Sequence, residues 1–152
     1  MATVGKNDRD RYFCADAIAK TVAFAMFLLI PMRIARPEIT GDGVWDSVMR
    51  FLYTIDTPDN LFPSIHCLAS WMCFIGLRGR REVHIVIKVL SFVAAVAVCV
   101  STLTTRQHVI VDVISGVLLA EISYFISRFE VVRNGYYFII AAIMRLFEKK
   151  KK

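Results

Sequence analysis

Charge is what this chain has least of. Only 21% of its residues are Asp, Glu, Lys or Arg, against 57% that are hydrophobic. The mean hydropathy is +0.54. A water-soluble domain of 152 residues carries more charge and less apolar bulk than this. The charges that are present lie in clusters between apolar runs, which is the layout of a multi-span membrane protein. Cysteine is sparse and scattered. Cys14, Cys67, Cys73 and Cys99 form no Cys-x-x-Cys pair, and two of them lie in the middle of apolar runs. They read as small apolar residues, with no disulfide framework and no thiolate metal site. No Cys/His/Asp cluster has zinc or two-metal spacing, so neither a metal nor another cofactor is expected. The mixed-charge start also lacks the apolar stretch and small-residue cleavage site of a secretory signal.

What charge there is has a basic balance, with a formal net charge of +6 and a pI of about 9.4. The excess lies beside the apolar runs and in the Lys149–Lys152 tail. That placement fits anionic lipid headgroups as the partner, rather than nucleic acid.

The runs predict an all-α integral membrane bundle of about four transmembrane helices, over 17–34, 61–77, 85–103 and 108–127. Residues 1–16 form a polar lead. Residues 17–128 form the membrane domain, and 129–152 an interfacial helix (136–147) with a polybasic tail. Pro31 is expected to kink the first span, and Arg36-Pro37 to stop it. A short amphipathic helix is expected at Val44–Ile55, with Trp45, Val48, Phe51 and Leu52 on one side and Trp45 and Tyr53 suited to the membrane interface. Pro63 is expected in the first turn of the second span. Small Gly116 allows close helix packing, and Glu121 needs a partner.

Arg78, Arg80 and Arg81 lie between the second and third spans, and Arg128, Arg133, Arg145 and the lysines follow the fourth. The loop from Arg36 to Asn60 has two bases, Arg36 and Arg50, against five acids, Glu38, Asp42, Asp46, Asp56 and Asp59. The basic side marks the cytoplasm and holds both termini. Arg36, His66, Arg106, His108 and Asp112 then all fall on the extracytoplasmic side.

Those residues carry the candidate chemistry. Phe62-Pro63-Ser64-Ile65-His66 and Thr105-Arg106-Gln107-His108-Val109-Ile110-Val111-Asp112 each put a histidine where a polar turn meets an apolar run. An ionisable group there is costly unless it has a function. A neutral imidazole can attack phosphorus if an acceptor holds its other nitrogen, and Asp112 lies one turn after His108. His66 can protonate the leaving oxygen. Arg36, Arg106, Ser64 and the opening N–H groups of the second span can hold phosphoryl oxygens. Taken singly, each histidine reads as a helix cap and each arginine as an interface anchor. His84 reads as a surface residue. The conjunction is what points to a site.

The Pro63-Ser64-Ile65-His66 segment resembles the Pro-Ser-x-His motif of the type 2 phosphatidic acid phosphatase superfamily. Ser101, His108 and Asp112 resemble its last motif, and Arg36-Pro37 the end of its first. The match covers about residues 17–127. It implies a helical membrane core with an outward site and a phosphohistidine intermediate: His108 as nucleophile, Asp112 orienting it, His66 as acid, and Arg36 and Ser64 on phosphate. The substrate implied is a membrane lipid phosphate or diphosphate. Two family cations are replaced, by Leu29 and Thr102, as in the inositol phosphorylceramide and sphingomyelin synthase branch. Headgroup transfer is therefore the alternative, with a non-catalytic or truncated homologue as a further one. The family core has six spans, of which this chain resembles the last four.

Overall fold

The computed structural model describes residues 2–33, 35–36, 38–55 and 61–149. They form six helices: α1 (Ala2–Leu29), α2 (Val44–Ile55), α3 (Ile65–Arg78), α4 (Ile85–Thr104), α5 (Ile110–Ile126) and α6 (Glu130–Lys149). There is no strand among the described residues, so the all-α expectation holds. α3 is central and packs against α4 and α5, while α1 packs mainly on α5.

Chain directions follow from named contacts. Cys67 meets Thr102, and Trp71 and Phe74 meet Phe92, so α4 runs antiparallel to α3. Ser64 meets Asp112, so α5 runs parallel to α3. Arg11 donates to the Tyr124 carbonyl at 3.2 Å, and the Tyr12 ring lies beside Gly76. α1 therefore runs antiparallel to both α3 and α5. The C-terminal ends of α1 and α4 and the N-terminal ends of α3 and α5 share one end of the bundle.

The α1 side of the core is made of small residues. Ala15, Ala19 and Ala23 recur every four residues on α1 and are fully buried against Leu68, Met72 and Ile75 of α3 and Ala120 of α5. A stripe of this kind lets helices approach closely, which is how membrane helices gain packing where lipid offers no hydrophobic drive. Many of the other large apolar side chains face outward. On α4, Ile85, Val86, Val89, Leu90, Val93, Val96 and Val100 are all exposed. A surface like that suits lipid and not water. At the end away from Ser64, Arg78 grips Glu121 through two 2.7 Å bonds, and Trp71 Nε1 donates to the same carboxylate at 2.9 Å. This supplies the partner expected for Glu121. His84 lies at the surface, as expected, and also caps α4, its Nδ1 accepting from Val86 N–H at 3.3 Å.

Several boundaries differ from expectation. α1 begins at Ala2, so the polar lead is helical, and its packing of Arg11 and Tyr12 against α3 and α5 gives that end tertiary support. α1 stops at Leu29, ahead of Pro31, because proline disfavours helix in the residue before it and has no N–H to donate. α6 starts at Glu130, earlier than Tyr136, and leaves α5 at 97°, which lays it across the bundle end. Four helices build the bundle, but among the described residues only α1 from Asp8 and α4 have the length and hydropathy to cross a membrane alone; counting α5 with α6 as one broken span makes three. α3 has 14 residues. At 1.5 Å per residue it rises about 21 Å, short of a hydrocarbon core of about 30 Å. The chain ahead of α3 and of α5 is spent in the turns that build the site.

Ala19→Leu should lower bundle stability by about 1–3 kcal/mol through overpacking. Val93→Leu on the exposed face of α4 should leave it unchanged. Thermal unfolding in detergent would compare the two.

Candidate active site

α3 starts at Ile65, later than its sequence suggests. Pro63, joined to Phe62 by a cis peptide bond, stands outside the helix, and Ser64 is the N-cap. The Ser64 Oγ accepts the Cys67 N–H at 3.4 Å, satisfying one of the orphan donors of the first turn. His66, second in the helix, is exposed.

The second motif is built by a turn. α4 ends at Thr104, and Arg106 takes the left-handed conformation, with φ 52°. That is an uncommon state for a residue with a Cβ, and it reverses the chain. The Gln107 and His108 N–H groups then bond back to the Thr102 carbonyl at 3.0 and 3.2 Å. Val109 is the N-cap of α5, so His108 lies ahead of the helix rather than in its first turn. Asp112 is the third helical residue, and its Oδ2 reaches back to the Val109 N–H at 3.0 Å, half of a capping box.

That backward reach joins the candidate residues. The same Oδ2 lies 3.4 Å from His108 Nδ1, and the two side chains are only 5% and 6% exposed. The His66 and His108 rings meet edge to face, with centroids 5.9 Å apart. Ser64 N–H donates to the Asp112 carbonyl at 3.1 Å, tying the two motifs through their backbones. Gly116 makes that approach possible: a Cβ there would stand 2.6 Å from the Ser64 carbonyl oxygen. The expectation of close packing at Gly116 is met here.

The proposed phosphate-holding groups fare differently. Ser64 is fully buried and its Oγ serves the cap. Arg106 stands exposed on the turn. Arg36 stacks over the Tyr53 ring at 4.6 Å and donates to the Tyr53 carbonyl at 3.5 Å. Tyr53 in turn donates its hydroxyl to the Thr105 carbonyl at 3.0 Å. Tyr53 thus links Arg36 to the turn ahead of His108. Sequence reasoning assigned it only to the membrane interface. The signal available was its place on the polar side of α2, opposite Val44, Val48 and Ile55 (helical positions at 100° per residue). The two replaced cation positions face elsewhere: Leu29 is exposed at the end of α1, and Thr102 is buried with its Oγ1 3.6 Å from Cys67 Sγ.

The electrostatics of this end favour an anion. α3 and α5 both present their N-termini here, each carrying about half a positive charge. Of the two opposing negative ends, that of α1 finishes at exposed Leu28 and Leu29, and that of α4 is occupied by its own turn. The Ser101 carbonyl accepts from the Thr105 N–H and hydroxyl, Thr102 accepts from Gln107 and His108, and Thr105 accepts from Tyr53. Among the described residues no group of three or more His, Cys, Asp or Glu could hold a metal ion.

A membrane-type helical bundle with paired histidines at converging helix N-termini is the class this geometry defines. The sequence profile of the PAP2 superfamily matches residues 10–126, and the chain belongs to that superfamily. Its members are generally phosphatases. No curated protein and no solved structure matches the chain.

Gly116→Ala should push α3 from α5 and cut activity sharply, with a stability loss of about 1–3 kcal/mol. Gly135→Ala on α6, where a Cβ meets nothing within 4 Å, should be neutral or slightly stabilising. Phosphate release and thermal unfolding, measured side by side, would separate the two variants.

Proposed function

We propose that this protein is a membrane lipid phosphatase that hydrolyses a lipid phosphate or diphosphate monoester through a phosphohistidine. The observation that carries this is the buried His108–Asp112 pair with His66 against it, at the mouth of two parallel helices. His108 Nε2 attacks phosphorus while Asp112 holds Nδ1, fixes the tautomer and stabilises the positive charge that develops. His66 gives a proton to the leaving oxygen. With the product alcohol gone, it takes a proton from the water that attacks the phosphorus–nitrogen bond. His108 is then restored and inorganic phosphate leaves. Arg36, Arg106 and the N–H groups opening α3 offset the phosphoryl charge. Ser64, fully buried, shapes that opening through its cap.

The alternating directions of α1, α3, α4 and α5 support both termini lying on one side, with the site on the other. Arg78, Arg80, Arg81, Arg128 and Arg133 lie at the end away from the histidines, which supports a cytoplasmic basic end and an extracytoplasmic site. The bilayer itself supplies the substrate.

A second reading, transfer of the phospho-headgroup to an alcohol, is favoured by one observation. Thr102 is turned into the α3–α4 contact, and the site lacks the cation the family places there.

Phosphate release from a panel of lipid phosphates in detergent should persist in EDTA. It should vanish in His108→Ala and fall by about 10²–10⁴ in His66→Ala. Release that needs a divalent ion, or that survives His108→Ala, would sink the phosphohistidine reading. Turnover seen only with an added alcohol acceptor, followed by mass spectrometry of the lipids, would establish transfer in its place.

A further inference from the structure

α2 is the element that catalysis leaves unexplained. Its sequence sorts cleanly into two sides. Asp46, Ser47, Arg50 and Thr54 lie on one, and Val44, Trp45, Val48, Phe51 and Ile55 on the other. The polar side is occupied by the protein's own loop. Asp46 Oδ2 accepts the Gly43 N–H at 3.0 Å, and Arg50 donates to the Ile39 carbonyl at 3.3 Å and to the Gly41 carbonyl. The apolar side is bare: Val44 is 79% exposed, Trp45 82%, Phe51 64% and Ile55 67%. Among the described residues no helix packs extensively along α2, and Tyr53 ties it to the bundle. That tie places α2 at the same end as the two histidines. The last turn of α1, with Leu28 and Leu29 exposed, continues the same apolar exterior at that end.

We propose that α2 rests in the surface of the bilayer beside the site, with its Trp45–Phe51 side among the lipids. Through Tyr53, this seating holds Arg36 and the 105–108 turn in place for a phosphate carried by a lipid. The occupant is lipid because the bare side lies at the same end of the bundle as the exposed apolar side chains that close α1, a surface that needs a bilayer around it. An amphipathic helix with Trp at its boundary is also the form that seats at headgroup level. The link to Arg36 rests on the phosphatase reading above; the seating of α2 does not.

The full chain in phosphatidylcholine nanodiscs tests both halves. The chain has two tryptophans, so Trp71→Phe leaves Trp45 as the only indole. Its emission should be blue-shifted, quenched by lipid brominated near the headgroup, and shielded from iodide. The difference between the natural chain and Trp45→Phe gives the same readout if Trp71→Phe folds poorly. Emission quenched by iodide and indifferent to brominated lipid would overturn the seating. So would shielding from both quenchers, which would mean that protein, such as a second copy of the chain, covers α2.

For the link, Tyr53→Phe removes the bond to Thr105 and keeps the ring under Arg36. With phosphatidate as the probe, KM should rise about 2–10-fold, the weight of one hydrogen bond, and further in Tyr53→Ala. In both variants kcat should change less than KM, and Trp45 should stay in lipid. An unchanged KM would overturn the link and leave the seating standing. If the natural chain releases no phosphate, the phosphatase reading and the link that rests on it fail together, and the fluorescence result is unaffected.

Discussion

The junction of α3 with α5 is the contact on which the rest of the structure depends. Ser64 donates its N–H to the Asp112 carbonyl, and Gly116 leaves room for the Ser64 carbonyl one turn further on. Backbone meets backbone there, so the spacing has little slack. Because Asp112 is both a partner in that junction and the carboxylate beside His108, the packing of the bundle and the geometry of the site are set by the same residue. The Val109 N–H bond fixes where the carboxylate points, and the histidine ring settles against it.

Around this junction the bundle follows membrane logic. Alanines line the α1 side of the core, and the bulky valines, leucines and isoleucines of α4 look outward. A helix in lipid gains nothing by turning its leucines inward, so close approach through small residues is what holds the bundle together. The one strongly charged contact between α3 and α5, Arg78 with Glu121, lies at the far end with Trp71. The two ends of the α3–α5 pair are thus secured by different means: a tight backbone junction at the histidines and an ion pair at the basic end.

Convergence of helix N-termini places partial positive charge at the candidate site without requiring many cations. This bears on the two family positions where Leu29 and Thr102 stand. The Thr102 carbonyl is an acceptor for the His108 turn, and its side chain lies against Cys67, so that part of the chain is committed to structure. Arg106, the helix ends and Arg36, which is held over the Tyr53 ring, are the groups that the proposed function assigns to phosphate.

The sequence by itself determined the class of the molecule and the identity of the candidate residues. Its low charge and long apolar runs dictate membrane helices, and the pattern of α2 sets that helix at Val44–Ile55, as the periodicity predicts. The histidines and Asp112 are legible because ionisable residues beside apolar runs are costly and therefore conspicuous. Tertiary structure alone decided the rest. Polar residues at the start of α1 read as a lead, yet contacts with Tyr124 and Gly76, more than 60 residues away, accompany a helix that runs through them. The start of α3 was displaced past Pro63 because Ser64 takes the cap, and α5 begins after His108 because the Arg106 turn consumes the residues before it. Tyr53 meets Thr105 across 52 positions of chain. Local propensity acts over a few residues and can name the groups. Which groups meet is settled by close packing, and that depends on contacts the chain makes only once it is folded.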